Sequence, residues 1–171
     1  MLLPIIGIIL GVIVLIGILA ATYYNQFVTL RNKSDEAFST MDVYLKKRYD
    51  LIPNLVETVK GYATHEQETL ERVTQARNMA IQANNFQERQ QQENMLSGTL
   101  KSLFALSENY PDLKANTNFL DLQGQLQKLE EDIAQSRKYY NGVVKVFNTK
   151  IQVFPSNLAA MVLGFHTYPY F

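Results

Sequence analysis

His65-Glu66-Gln67-Glu68-Thr69 opens like the HExxH of zinc peptidases, where two imidazoles one helical turn apart hold the metal and the glutamate serves as base. Thr69 stands where the second imidazole is needed. The other histidine, His166, lies in an aromatic C-terminal segment, and two imidazoles without partner spacing do not make a metal site. Cysteine is absent, which removes thiolate ligands, thiol nucleophiles and disulfides together. No Gly-rich phosphate loop occurs, and no Ser/His/Asp set is marked out by spacing. The expectation is no enzyme, with no catalytic residue, metal or cofactor.

Two clusters are candidates for binding instead. Lys46-Lys47-Arg48 is the most basic run, suited to anionic headgroups or to a protein partner. The alternative is a solvated helix face with Arg48 paired to Asp50 or Asp42. An extended helix would hold the run ~35 Å or more from a membrane at the start of the chain, beyond a Debye length of ~8 Å, which counts against lipid. Phe165, Tyr168, Tyr170 and Phe171 could form a docking strip for another subunit, or could seal the end of a helical bundle as large aromatics usually do. Lys+Arg 16 balance Asp+Glu 16, so no nucleic-acid partner is expected.

These residues must be positioned by an anchor and a set of helices. Residues 2–21 carry no charged or strongly polar side chain. About 20 apolar residues cover the ~30 Å hydrocarbon core of a bilayer. A cleaved signal peptide would need a basic start and a shorter apolar stretch; Met1-Leu2-Leu3-Pro4 has no basic residue, although Ala20-Ala21 could be a weak cleavage site. Tyr23, Tyr24 and Asn25 follow, as where a helix enters the headgroup layer. The reading is a transmembrane anchor at 1–23 and a helical domain at 24–171. Arg31 and Lys33 follow the span and no basic side chain precedes it, which predicts a short outside N-terminus and a cytoplasmic domain. Gly7 and Gly11 form a GxxxG pair that would let two spans pack closely, although glycine is also common in such helices.

Beyond the anchor the apolar spacing is helical. Phe27, Leu30, Ser34, Ala37, Met41, Leu45, Ile52, Leu55, Val59 and Tyr62 form a stripe at steps near three and four, continuous with the span. Pro53 interrupts it and predicts a kink or short break. A second stretch, 66–109, has Leu70, Val73, Ala76 and Ala80, then Leu96, Leu100, Leu103 and Leu106, around a polar middle with Phe86. Tyr110-Pro111-Asp112 stops it, and Asn116-Thr117-Asn118 supplies a cap. The third runs Phe119, Leu122, Leu126, Leu129, Ile133, Ser136, Tyr140, Val144, Phe147 and Ile151, a heptad-like pattern for a bundle or coiled coil. A short helix with Leu158, Met161, Val162 and Phe165 follows, stopped by Gly164. Stretches of ~35–45 residues joined by short turns favour antiparallel neighbours. The expected fold is all-α: the anchor continuing into an elongated antiparallel bundle of three long helices with a short C-terminal helix. If Asn84-Asn85 is a real turn, it is a four-helix bundle.

The run Arg48-Tyr49-Asp50-Leu51-Ile52-Pro53-Asn54-Leu55-Val56-Glu57-Thr58-Val59-Lys60-Gly61-Tyr62-Ala63 resembles the signature block of the LemA family. Tyr110-Pro111-Asp112-Leu113-Lys114-Ala115-Asn116, with Asn118-Phe119 and Leu122-Gln123, is similar to its second block. Tyr140-Asn141, Asn148, Ile151, Phe154-Pro155-Ser156-Asn157 and Gly164-Phe165 are similar to its third. The resemblance implies a bacterial membrane protein with one N-terminal span, a short outside N-terminus and a helical domain, and it implies no reaction. Members usually continue past a segment like Tyr168-Pro169-Tyr170-Phe171, and their genes often lie near other membrane proteins, zinc peptidases included. The functional expectation is a self-associating membrane scaffold. Its rival is an adaptor for another membrane protein such as a metallopeptidase.

Overall fold

The computed structural model describes residues 1–171 and is all-α, with six helices in chain order: α1 (Leu2–Lys60), α2 (Gln67–Gln82), α3 (Phe86–Ser107), α4 (Pro111–Lys114), α5 (Thr117–Gln152) and α6 (Ser156–Leu163). The anchor and the first helix of the domain are one continuous helix of 59 residues, about 90 Å long at 1.5 Å per residue. Its first turns are long and apolar enough to cross a membrane. None of that apolar window is buried by the rest of the chain, so it is not the core helix of a water-soluble bundle. This segment is therefore the candidate membrane anchor. Past its first turn the backbone groups there are bonded within the helix and the side chains are apolar, as lipid requires.

The chain forms two compact units, and α1 and α5 contribute to both. The first comprises Met1–Ala37 and Tyr139–Tyr170; the second comprises Phe38–Lys138 with Phe171. In the second unit the predicted stripes are the core. Met41, Leu45, Ile52, Leu55 and Val59 of α1 are buried with Leu70, Val73, Ala76 and Ala80 of α2, Leu96, Leu100 and Leu103 of α3, and Phe119, Leu126, Leu129 and Ile133 of α5. In the first unit Phe27, Phe147 and Ala160 form a small core, with Tyr23, Leu30, Ile151, Phe165 and Tyr168 packed against it.

The stretch at 66–109 is two helices, so the four-helix alternative is the one adopted. Asn85 caps α3 by accepting from the Glu88 N–H at 2.8 Å, and the Glu88 carboxylate accepts from the Asn84 N–H at 3.2 Å. This reciprocal capping gives the helix a defined start and so favours a turn over helix continuation. Asn116 caps α5 in the same way, accepting from the Phe119 N–H at 3.0 Å. Gly164, at φ 77°, ends α6 in the left-handed conformation that glycine adopts without strain.

Pro53 does not break α1. It has no N–H to give to the Tyr49 carbonyl four residues back, which would otherwise be orphaned inside the unit. Arg77, reaching across from α2, fills the vacancy: its Nε donates to the Tyr49 oxygen at 2.7 Å.

Candidate functional site

On a helix of 3.6 residues per turn, positions 41, 45, 48, 52, 55 and 59 share one face, and position 48 falls in the middle of it. The core stripe of α1 therefore carries Arg48 inward between Leu45 and Ile52. Its relative exposure is 0%, making it the largest fully buried side chain in the protein. Arg48 is thus not part of an exposed basic face with Lys46 and Lys47, which do point outward. Its partners are neither Asp50 nor Asp42.

Glu93 is buried in the corresponding way on α3, in register with Leu96, Leu100 and Leu103. Arg48 Nη2 donates to Glu93 Oε2 and, at 3.3 Å, to the Glu93 backbone oxygen. Its Nη1 donates to Glu130 Oε1 of α5 at 2.7 Å and to Ser97 Oγ at 2.7 Å. Ser97 Oγ in turn donates to Glu130 Oε2 at 3.1 Å. The Tyr49 hydroxyl donates to Glu93 Oε1, and Arg89 Nε lies 3.8 Å from the same oxygen. Arg89 also pairs with Asp42, which Lys46 meets from the other side at 2.9 Å. One guanidinium thus ties α1, α3 and α5 together, and a second links α3 to α1.

Burial pushes the Glu93 carboxyl up to about 7 against the opposing attraction of Arg48, with Glu130 and Asp42 adding repulsion. Burial also pulls on Asp42, but its bonds to Lys46 and Arg89 outweigh this and hold its carboxyl below the usual range. A carboxyl near neutrality is what acid–base chemistry uses, yet a general base must reach a substrate proton. Glu93 is 3% exposed and both its oxygens are engaged within the protein. Neither large surface groove is lined by it. The cluster is chemistry directed inward, joining helices.

His65 is exposed in the turn before α2, off the helix that an HExxH motif requires, and Glu66 accepts from the Tyr110 hydroxyl at 3.0 Å. No group of three or more His, Asp or Glu side chains comes together as a metal would need. Lys46 and Lys47 are exposed, with Lys47 Nζ 5.6 Å from the Tyr44 ring centre. Gly7 and Gly11 lie exposed on the span.

The C-terminal aromatics are mostly spent inside. In the first unit Phe165 stacks on Phe27 at 4.9 Å and lies under Arg31 at 5.7 Å. Asn148 clamps the backbone of Tyr168 from both sides, its Nδ2 donating to the Tyr168 oxygen at 2.9 Å and its Oδ1 accepting from the Tyr168 N–H at 2.8 Å. The Tyr140 hydroxyl, which burial pushes up to about 12, donates to the Pro169 oxygen at 2.9 Å. In the second unit Phe171 is 4% exposed, edge-on to Phe86 at 5.2 Å and beneath Arg137 at 4.9 Å. Only Tyr170 of the four is an exposed ring. The segment seals the protein, and Phe171 in particular is no docking surface.

A membrane-spanning helix that continues into an all-α bundle, pinned by buried ion pairs, defines a membrane-anchored helical protein. The chain belongs to the LemA family, which it matches over residues 37–171. It is 29% identical over 165 residues to Protein LemA of Metamycoplasma hominis, covering 92% of this chain and 74% of that protein. It is 23% identical over 174 residues to Magnetosome protein MamQ 2 of Paramagnetospirillum magneticum, and 22% identical over 174 residues to Magnetosome protein MamQ of Magnetospirillum gryphiswaldense. Each of these two matches covers 86% of this chain and 64% of the relative, so the chain spans less than two thirds of their length. The strings that carry the family resemblance contain Arg48, Tyr49, Pro53, the Asn116 cap and the Asn148 clamp, whereas the partners Glu93, Ser97, Glu130 and Arg77 lie outside them.

Proposed function

We propose that the protein is a non-enzymatic scaffold that self-associates at the bacterial inner membrane, its short N-terminus outside and its helical domain in the cytoplasm. The observation that carries this reading is on the span. Gly7 and Gly11 lie one turn apart on α1, and beyond the adjoining residues and local helix backbone nothing lies within 4 Å of a Cβ built at either. That small-residue face is free for a second span, and close backbone approach is what drives association where water cannot. The inward-facing ionic cluster adds support, because it gives a firm helical body instead of a reaction centre.

Gly7→Leu with Gly11→Leu should weaken assembly while leaving insertion intact, since leucine is at least as apolar. Mass in several mild detergents checks this for the native chain and the variant. A native chain that is monomeric at micromolar concentration in all of them rejects the scaffold. The adaptor reading, with a membrane protein such as a metallopeptidase as partner, then moves to first place. It has its own supporting feature, an open groove of about 880 Å³ whose walls include Val56, Lys60, Leu70, Thr74 and Met79.

Orientation is tested separately. A reporter joined by a flexible linker after Phe171 should be active only if it works in the cytoplasm. Changing Arg31 and Lys33 to Gln while adding Lys at the N-terminus should invert or mix the population. Activity of an exclusively extracytoplasmic reporter on the native chain rejects the assignment.

A further inference from the structure

The first unit leaves an unusual surface beside the end of the span. Phe154 is 77% exposed, Met161 77% and Val162 85%, with Leu158 half exposed beside them. All belong to the turn at 153–155 and to α6, and the buried side of α6 packs through Ala160 on Phe27 and Phe147. Large apolar side chains exposed together mark a surface that is covered in use.

Its height along α1 says by what. Lys150 Nζ of α5 donates to Gln26 Oε1 of α1 at 2.6 Å, and Phe147 meets Phe27, so α5 runs antiparallel to α1 here. Three residues on, just past the end of α5, Val153 is level with about Tyr23, just past the apolar run. Gln26 itself is only ~8 Å beyond Ala21 at 1.5 Å per residue. The headgroup layer on each side of a bilayer is ~5–8 Å deep, so the turn falls within it. Charge agrees: no Asp, Glu, Lys or Arg occurs at residues 1–30 or 151–171, and Arg31 and Lys150 are the first to flank this region.

We propose that the 153–155 turn and α6 are a second, interfacial membrane contact, inserting Phe154, Leu158, Met161 and Val162 into the leaflet from which α1 emerges. The span fixes the protein in the bilayer, and this patch fixes its attitude there. A short helix with one buried and one apolar exposed side, lying at the acyl boundary, is a recognised way for a protein to sit on a membrane. Here its cost of association is small, because the span already holds it at the surface.

The chain has no tryptophan, so single-tryptophan variants report local depth directly. Phe154→Trp, Met161→Trp and, as a reference, Tyr139→Trp are placed in the full chain and reconstituted at low protein density into phosphatidylcholine–phosphatidylglycerol vesicles. Tyr139 is 54% exposed on α5 and ~17 Å farther from the span than Lys150. Lipids brominated near the top of the acyl chain should quench Phe154→Trp and Met161→Trp several-fold more than Tyr139→Trp, and aqueous iodide should give the reverse order. Iodide quenching equal to the reference at both positions would place the patch in water and overturn the proposal. Shielding from iodide without bromolipid quenching would assign the surface to a protein contact and overturn it equally.

Discussion

Replacing Arg48 by methionine should destabilise the protein by about 3–5 kcal/mol at mildly alkaline pH, because it strands the Glu93 carboxylate in the core. Methionine matches the length of the aliphatic stem, so the loss reads the missing charge more than a cavity. Urea unfolding of the full chain in a mild detergent, followed by helical ellipticity, measures it. The pH dependence has a definite sign. Burial raises Glu93 from the ordinary 4.5 to about 7, so the folded state holds the proton more tightly than the unfolded chain does. The resulting stabilisation is complete below the unfolded value and is lost as pH rises through the folded one. Without Arg48 the folded value climbs higher still. The variant should therefore be least impaired near pH 5 and most impaired near pH 8, since protonation relieves the stranded charge. Adding Glu93→Leu to Arg48→Met should recover most of the loss and flatten its pH dependence, as apolar replacement of a whole buried pair is often neutral. Equal destabilisation at both pH values would show that the stranded carboxylate is not its source.

The same two residues show where sequence reading stops. The helical stripes, the stop at Tyr110-Pro111 and the Asn116 and Gly164 caps were legible because each is local: spacing and cap chemistry act within a few residues. The apolar stripe of α1 left a gap of seven between Leu45 and Ile52, a full heptad with its middle position unassigned. Heptad continuity requires a core residue at 48, and α3 likewise requires one at 93, three before Leu96. An arginine and a glutamate on separate helices, each occupying a core register position, is a readable sign of a buried pair. Grouping Arg48 with its neighbours Lys46 and Lys47 hid it, since adjacency in sequence is not adjacency on a helix face. The break at Asn84-Asn85 was only half legible for another reason. The residues around it are good helix formers, and the decision falls to the Asn85–Glu88 cap and to packing of α2 against α3. The amphipathic pattern of Leu158, Met161, Val162 and Phe165 was visible, but that the first three face outward and Phe165 inward, and their height beside the span, depend on the register of α5 against α1. That register is a long-range fact, carried by pairs such as Lys150 with Gln26.

A proline and an arginine from different helices should prove energetically coupled in the same way. With Pro53 present, Arg77 is the donor that satisfies the Tyr49 carbonyl, at 2.7 Å. Arg77→Met keeps the stem and removes the donor, leaving a carbonyl on a residue that is only 6% exposed. The expected loss is about 1–3 kcal/mol, the desolvation cost of an unmet buried polar group. Pro53→Ala alone should leave the chain folded and helical, because it restores an N–H at the position that normally bonds this carbonyl, together with a better helix former. In that background the arginine is no longer needed for the same oxygen, so Arg77→Met should cost clearly less than in the native chain. The quantity to measure is the interaction term of the four-member cycle, from urea midpoints of the full chain in one detergent. Additive losses would mean that Arg77 contributes through packing or surface charge and that the carbonyl freed by Pro53 is satisfied by other means. Unfolding of Pro53→Ala by itself would be the more serious contradiction. It would show that the proline is required for the path of α1 and not merely accommodated within it.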